Sequence, residues 1–201
     1  WGWVTPVKHQ GHLGACWTFA VMNAVESAML KKYGVSLNLS ESNLIHTMLK
    51  YSPNGFKVAE EGGNNVMSIS YIVDWFGPVF EENDPYDEVG KLSQFLPSSD
   101  IIHIQDMILV PNDGPGTSKM KEAILKYGAL VAGYHVNPYK PYYNPKTFAN
   151  YVNESLTSNH EISVVGWDDD FSADNFLIKP DGDGAWIVKN SWGTGWGEEG
   201  F

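Results

Sequence analysis

The chain has 201 residues, 43% of them hydrophobic, and a formal charge of −11 from 13 basic and 24 acidic side chains. A chain of this size buries roughly 70% of its unfolded surface, so its apolar content supports a packed core and excludes disorder. The acidic balance repels phosphate backbones and anionic bilayers, which excludes nucleic acid as a partner, and no run reaches the about 18 apolar residues of a membrane span.

In chain order, the first clear element is a helix over Cys16 to Tyr33, rich in good helix formers, with Phe19, Met22 and Met29 near helical spacing and Gly34 as a stop. "LNLSESNLIHTMLKY" predicts a second helix with Ser40 as N-cap and the acidic Glu41 in its first turn. A loop rich in Gly and Asn (Glu60 to Asn65) leads to a third helical run from Val66 to Phe76, and Gly77 to Ser99 reads as irregular. After about residue 100 the character changes. "IIHIQDMILV" (101–110) and "ALVAGYHV" predict strands, with the short amphipathic helix "SKMKEAILKYG" between them. "EISVVGWD" and "AWIVKNSW" predict two more strands, joined by an acidic loop. Helices first and strands later predict an α+β protein of two lobes, with the boundary near residue 103.

Cys16 is the one cysteine, so no intrachain disulfide is possible. A lone cysteine is often a buried small hydrophobe. This one stands where loop gives way to helix, where free amides and the helix dipole favour a thiolate and lower its pKa. A nucleophilic thiolate needs a base, and the base an orienting partner. Of the six histidines, His160 opens a strand directly after a polar loop, a position that projects an imidazole into a cleft. His9 and His12 are three residues apart, but no further ligand clusters near them, so no metal is expected.

"VTPVKHQGHLGACWTFA" resembles the active-site segment of the papain family (C1) of cysteine peptidases. "NHEISVVGW" is similar to that family's histidine strand, and "AWIVKNSWGTGWGEEGF" to its asparagine segment. The blocks fall in family order and bracket almost the whole chain, with His160 placed 144 positions after Cys16, inside the spacing of about 130–150 for such a pair. The form "VGWDDDF…GAWIVKNSWG" resembles bacterial and archaeal surface members. The resemblance implies a papain-like α+β fold, with a helical N-terminal lobe (residues 1–103), a β-rich C-terminal lobe (104–201) and the active-site cleft between them. It implies a peptidase without cofactor, acting on protein or peptide substrates, secreted or at the cell surface, with a pro-segment in the precursor. Cys16 would be the nucleophile, His160 its base and ion-pair partner, Asn190 the orienter, and Gln10 with the Cys16 amide the oxyanion donors. Gly62 and Gly63 would hold the substrate backbone, and Trp192 would cover the His160–Asn190 hydrogen bond.

This sequence departs from the family pattern in several places. Leu13 stands where many members begin a disulfide. Glu161 follows the base, where a small residue usually lines the second specificity pocket; it either favours a basic substrate side chain or turns to solvent. The extra carboxylates between the two last blocks (Asp168, Asp169, Asp170, Asp174, Asp181, Asp183) form either a solvated hairpin or a calcium loop. The chain starts and stops abruptly and shows no signal peptide, as expected of a mature or trimmed piece. A catalytically inactive papain-like binding or surface module is the alternative function.

Overall fold

The computed structural model describes residues 2–51, 62–88, 102–111 and 118–201. Helix α1 spans Cys16–Tyr33 and ends as expected: Gly34 takes φ 68° and returns its amide to the Leu30 carbonyl. Helix α2 spans Glu41–Tyr51, and the Ser40 hydroxyl caps it by accepting from the Asn43 amide at 3.0 Å. Helix α3 (Asn65–Val73) is capped by Asn64, whose side chain accepts from the Val66 and Met67 amides. Helix α4 covers Ser118–Tyr127. Strands β1 (Leu130–Tyr134), β2 (His160–Asp168) and β3 (Ala185–Lys189) form an antiparallel sheet in the order β1-β2-β3, with a bulge at Val164/Gly166.

The strand predicted over 101–110 is not formed: residues 102–111 have no strand pairing, and Ile101 lies outside the described residues. The Ile102 amide goes to the Pro78 carbonyl at 2.7 Å, and Ile102 and Ile104 pack against the helical core instead. Residues 77–88 are irregular as predicted; Glu60, Glu61 and residues 89–99 lie outside the described residues. Among the described residues no helix is long and apolar enough to cross a membrane.

Among the described residues, two apolar clusters form the core. One joins Trp17, Phe19 and Met22 of α1 to Leu44 and Met48 of α2 and Met67, Tyr71 and Ile72 of α3. Leu13, 6% exposed, belongs to it, so apolar packing occupies the place of the family's staple. The other gathers Ile124 of α4 with Ile162 and Val164 of β2.

A largely buried polar network joins the N-terminal segment to α1, the start of α2 and the end of β3. Lys8 Nζ donates to Glu26 Oε1 at 3.0 Å, Glu41 Oε1 at 2.8 Å and the Leu39 carbonyl at 2.9 Å. Glu26, 1% exposed, also accepts from the Leu39 amide at 2.9 Å and from Thr5 Oγ1 at 3.1 Å. Lys189 Nζ donates to Asn23 Oδ1 at 2.6 Å and Thr5 Oγ1 at 3.0 Å. Two lysines and two glutamates thus balance inside the fold, and the chain passes straight from Lys189 into Asn190.

Candidate active site

The loop before α1 brings Cys16 to the first helical position. Ala15 provides no side-chain cap there, so the first amides of α1 are left for other acceptors. The Cys16 thiol is half-buried. Burial pushes its pKa up; the amides of Glu161, Trp17 and Cys16 itself pull the other way, and the Glu161 charge adds to the rise. The net direction is upward, contrary to the lowering expected from the helix start, because desolvation outweighs the amides.

His160 opens β2 and is 7% exposed. Its Nε2 lies 2.9 Å from Asn190 Oδ1. The Ser191 amide also donates to that same Oδ1, at 2.8 Å, which fixes the carboxamide with its oxygen toward the ring. An oxygen can only accept, so Nε2 carries the proton and Nδ1 keeps its lone pair. The Asn190 amide is anchored in turn on the Gly200 carbonyl at 3.0 Å. Trp192 stacks on the imidazole with centroids 4.6 Å apart, and Trp196 meets Trp192 edge-on at 5.1 Å. Burial lowers the His160 pKa, and the Asn190 hydrogen bond offsets part of that.

The thiol and the imidazole share one wall. The Cys16 sulfur takes the amide of Glu161, the residue next to His160, and it lies within electrostatic reach of Tyr134. The Tyr134 ring packs edge-on against the imidazole at 5.5 Å.

Gln10 is 7% exposed, and both ends of its amide are fixed. Nε2 donates to the Leu13 carbonyl at 2.8 Å, and Oε1 accepts from Ser191 Oγ at 2.6 Å. Among the described residues, the second Nε2 hydrogen has no acceptor. The Gln10 amide also reaches the Ser191 carbonyl at 2.8 Å, so Ser191 ties the Gln10 loop to Asn190.

Gly62 takes φ +80°, a left-handed conformation that glycine adopts without strain. At Gly63 a Cβ would stand 2.2 Å from the Trp17 ring, so only glycine lets this loop lie against α1 beside Cys16. Gln10, Ser191, Asn190, His160 and Trp192 thus form one connected set, Tyr134 and Glu161 link the imidazole side to Cys16, and Gly63 lies against Trp17, the residue after Cys16. Ser191, Tyr134 and Asn65 join them without having been read from the sequence; only the position of Ser191 between Asn190 and Trp192 hinted at it.

The acidic loop does not gather toward a cation. Asp168 Oδ1 accepts the Asp170 amide at 3.0 Å, and Asp183 Oδ1 the Ala173 amide at 2.7 Å. Asp169 and Asp174 pair with Lys121 and Lys179. Among the described residues no three His, Cys, Asp or Glu side chains are grouped to hold a metal.

Comparison with known proteins identifies the family. The sequence matches the papain family cysteine protease profile over residues 1–201. Cathepsin L1 of Drosophila melanogaster is 30% identical over 201 residues, covering 100% of this chain and 50% of that protein. Cathepsin L of Sarcophaga peregrina is 31% identical over 201 residues, covering 100% of this chain and 55% of that protein. The clostridial cysteine protease Cwp84 after propeptide cleavage superposes with a TM-score of 0.81 at 31% identity, over 100% of this chain and 50% of that one. The cysteine protease and lectin-like domains of Cwp84, described as a surface layer associated protein of Clostridium difficile, give 0.77 at 30% identity, over 98% of this chain and 44% of that one. The chain spans about half the length of the curated relatives it matches. Helices and sheet compose the papain-like α+β fold, and the chain belongs to the papain family of cysteine proteases.

Proposed function

We propose that this chain is a cysteine peptidase that cleaves peptide bonds through Cys16 and His160. The cleft in use lies between a helical lobe (residues 1–103) and a β-rich lobe (104–201). The observation that carries this reading is the His160–Asn190 pair, whose pinned acceptor leaves Nδ1 free as a base on the wall that Cys16 shares.

Burial makes a lone thiolate and a lone imidazolium costly alike, so the two ionise together as one proton passes from Sγ to Nδ1. The sulfur then bonds to the carbonyl carbon. The oxyanion that forms is met by the Cys16 amide and the uncommitted Gln10 Nε2 hydrogen. As the C–N bond breaks, His160 returns its proton to the leaving amine. A water molecule, deprotonated by His160, hydrolyses the thioester and restores the thiol. Gly62 and Gly63 present backbone to an extended substrate, and Glu161 lines the groove beside it. Trp192 keeps water from the His160–Asn190 bond, which strengthens it.

The surface-layer association of Cwp84 supports a secreted or cell-surface setting. Procathepsin L of Felis catus, 29% identical over 207 residues, supports a pro-segment in the precursor. Digestion of a peptide library tests the reading. The chain is expected to cleave, and one equivalent of iodoacetamide, captured at Cys16, is expected to stop it. A chain that binds peptides and takes up the label without cleaving anything would be the inactive module.

A further inference from the structure

A carboxylate stands beside the nucleophile, and among the described residues no cation answers it. Glu161, the second residue of β2, gives its amide to the Cys16 sulfur, and its charge lies within electrostatic reach of that sulfur. The carboxylate is held by Asn65, the first residue of α3. The Asn65 backbone amide donates to it. With the Asn65 side chain turned so that Nδ2 faces the carboxylate, it also donates to Oε2 at 2.8 Å and Oε1 at 3.3 Å. Glu161 thus reaches from β2 to the start of α3, next to the Gly62–Gly63 loop where a substrate backbone would lie.

The surrounding ionisable groups are otherwise engaged. Cys16 faces Glu161 from α1. A small cavity that Glu161 also lines holds Lys8, Glu26, Glu41 and Lys189. Lys8 is taken by Glu26 and Glu41, and Lys189 by Asn23 and Thr5. Among the described residues no lysine or histidine forms an ion pair with Glu161. Burial pushes its carboxyl up to about 7, with the Asn65 amide holding it back in part. An anion desolvated without a counter-charge gains most from a cation brought into contact with it.

We propose that Asn65 and Glu161 are specificity-determining residues that receive a cationic side chain, arginine or lysine, on the acyl side of the cleaved bond. The inference rests on the peptidase reading above. The Asn65 donors hold the carboxylate in place while the groove is empty, and a guanidinium or ammonium supplies the missing charge when substrate binds.

The test compares arginine with its neutral isostere citrulline, and lysine with leucine, at each acyl-side position of a fluorogenic peptide set. It is run at pH 8 on wild type and Glu161→Gln, with active sites counted by iodoacetamide uptake. Wild type is expected to favour arginine over citrulline by about 10- to 100-fold in kcat/KM at one position, the scale of a charged hydrogen bond. Glu161→Gln is expected to bring that ratio near one, whatever its absolute rates. Equal rates for arginine and citrulline at every position in wild type would overturn the inference and leave the peptidase reading standing; that arm needs no variant. A preference that survives in Glu161→Gln would also overturn it. If wild type cleaves no peptide at all, both readings fail together.

Discussion

His160→Ala is expected to lower kcat/KM by roughly four to six orders of magnitude, about as much as Cys16→Ala, because members of a nucleophile–base pair act as one unit. The physical ground is the direction of the thiol's pKa. Desolvation drives Cys16 upward, and the Glu161, Trp17 and Cys16 amides do not reverse it, so at neutral pH the sulfur stays protonated unless a neighbour accepts its proton. On the proposed reading the acceptor is Nδ1 of His160, since Asn190 Oδ1 holds the ring's other nitrogen as the donor. Asn190→Ala leaves the imidazole in place but releases its tautomer, so its loss should be smaller than that of His160→Ala. Steady-state hydrolysis of a fluorogenic peptide, normalised to folded protein, measures both. A His160→Ala enzyme within tenfold of wild type would remove the imidazole from the mechanism.

Glu26→Ala is expected to cost about 3–5 kcal/mol of stability, the usual penalty for removing one partner of a buried ion pair. Glu26 is 1% exposed and answers Lys8, Thr5 and the Leu39 amide. Deleting its carboxylate orphans the Leu39 amide and leaves Lys8 with Glu41 as its remaining carboxylate partner. For a chain of this size each kcal/mol moves Tm by about 2–4 °C, so the melting midpoint should fall by roughly 6–20 °C. Glu26→Gln keeps the shape and an acceptor and should fall by less. Thermal unfolding followed by circular dichroism checks this, and a shift under about 2 °C would mean that the network contributes little.

Local chemistry was legible in the sequence where it depends on near neighbours. The limits of α1 follow from its helix formers and from Gly34, and the start of α2 from Ser40, because capping acts within a few residues. The segment 101–110 misled for the complementary reason: its β-branched residues suit a strand, but a strand exists only if another chain segment pairs with it, and Ile102 and Ile104 found a helical core first. The placement of His160 against Asn190 followed from three motifs read together. The upward shift of the Cys16 thiol did not, since a helix start is visible in sequence and burial is not. Glu26, Glu41, Lys8 and Lys189 look like ordinary surface charges until the fold brings them into one buried network. Tyr134 likewise carries no local mark of its place against the imidazole.

The measurement that bears most directly on the site is the rate of Cys16 alkylation by iodoacetamide as a function of pH, in wild type and in His160→Ala. Burial sets the His160 pKa below the usual 6.5 and the thiol above the usual 9.0. With His160 as the base, the wild-type rate rises through a transition below pH 6.5 and then holds a plateau across neutral pH. In His160→Ala it rises only above pH 9. A wild-type profile that follows the same single alkaline rise as the variant would contradict the account.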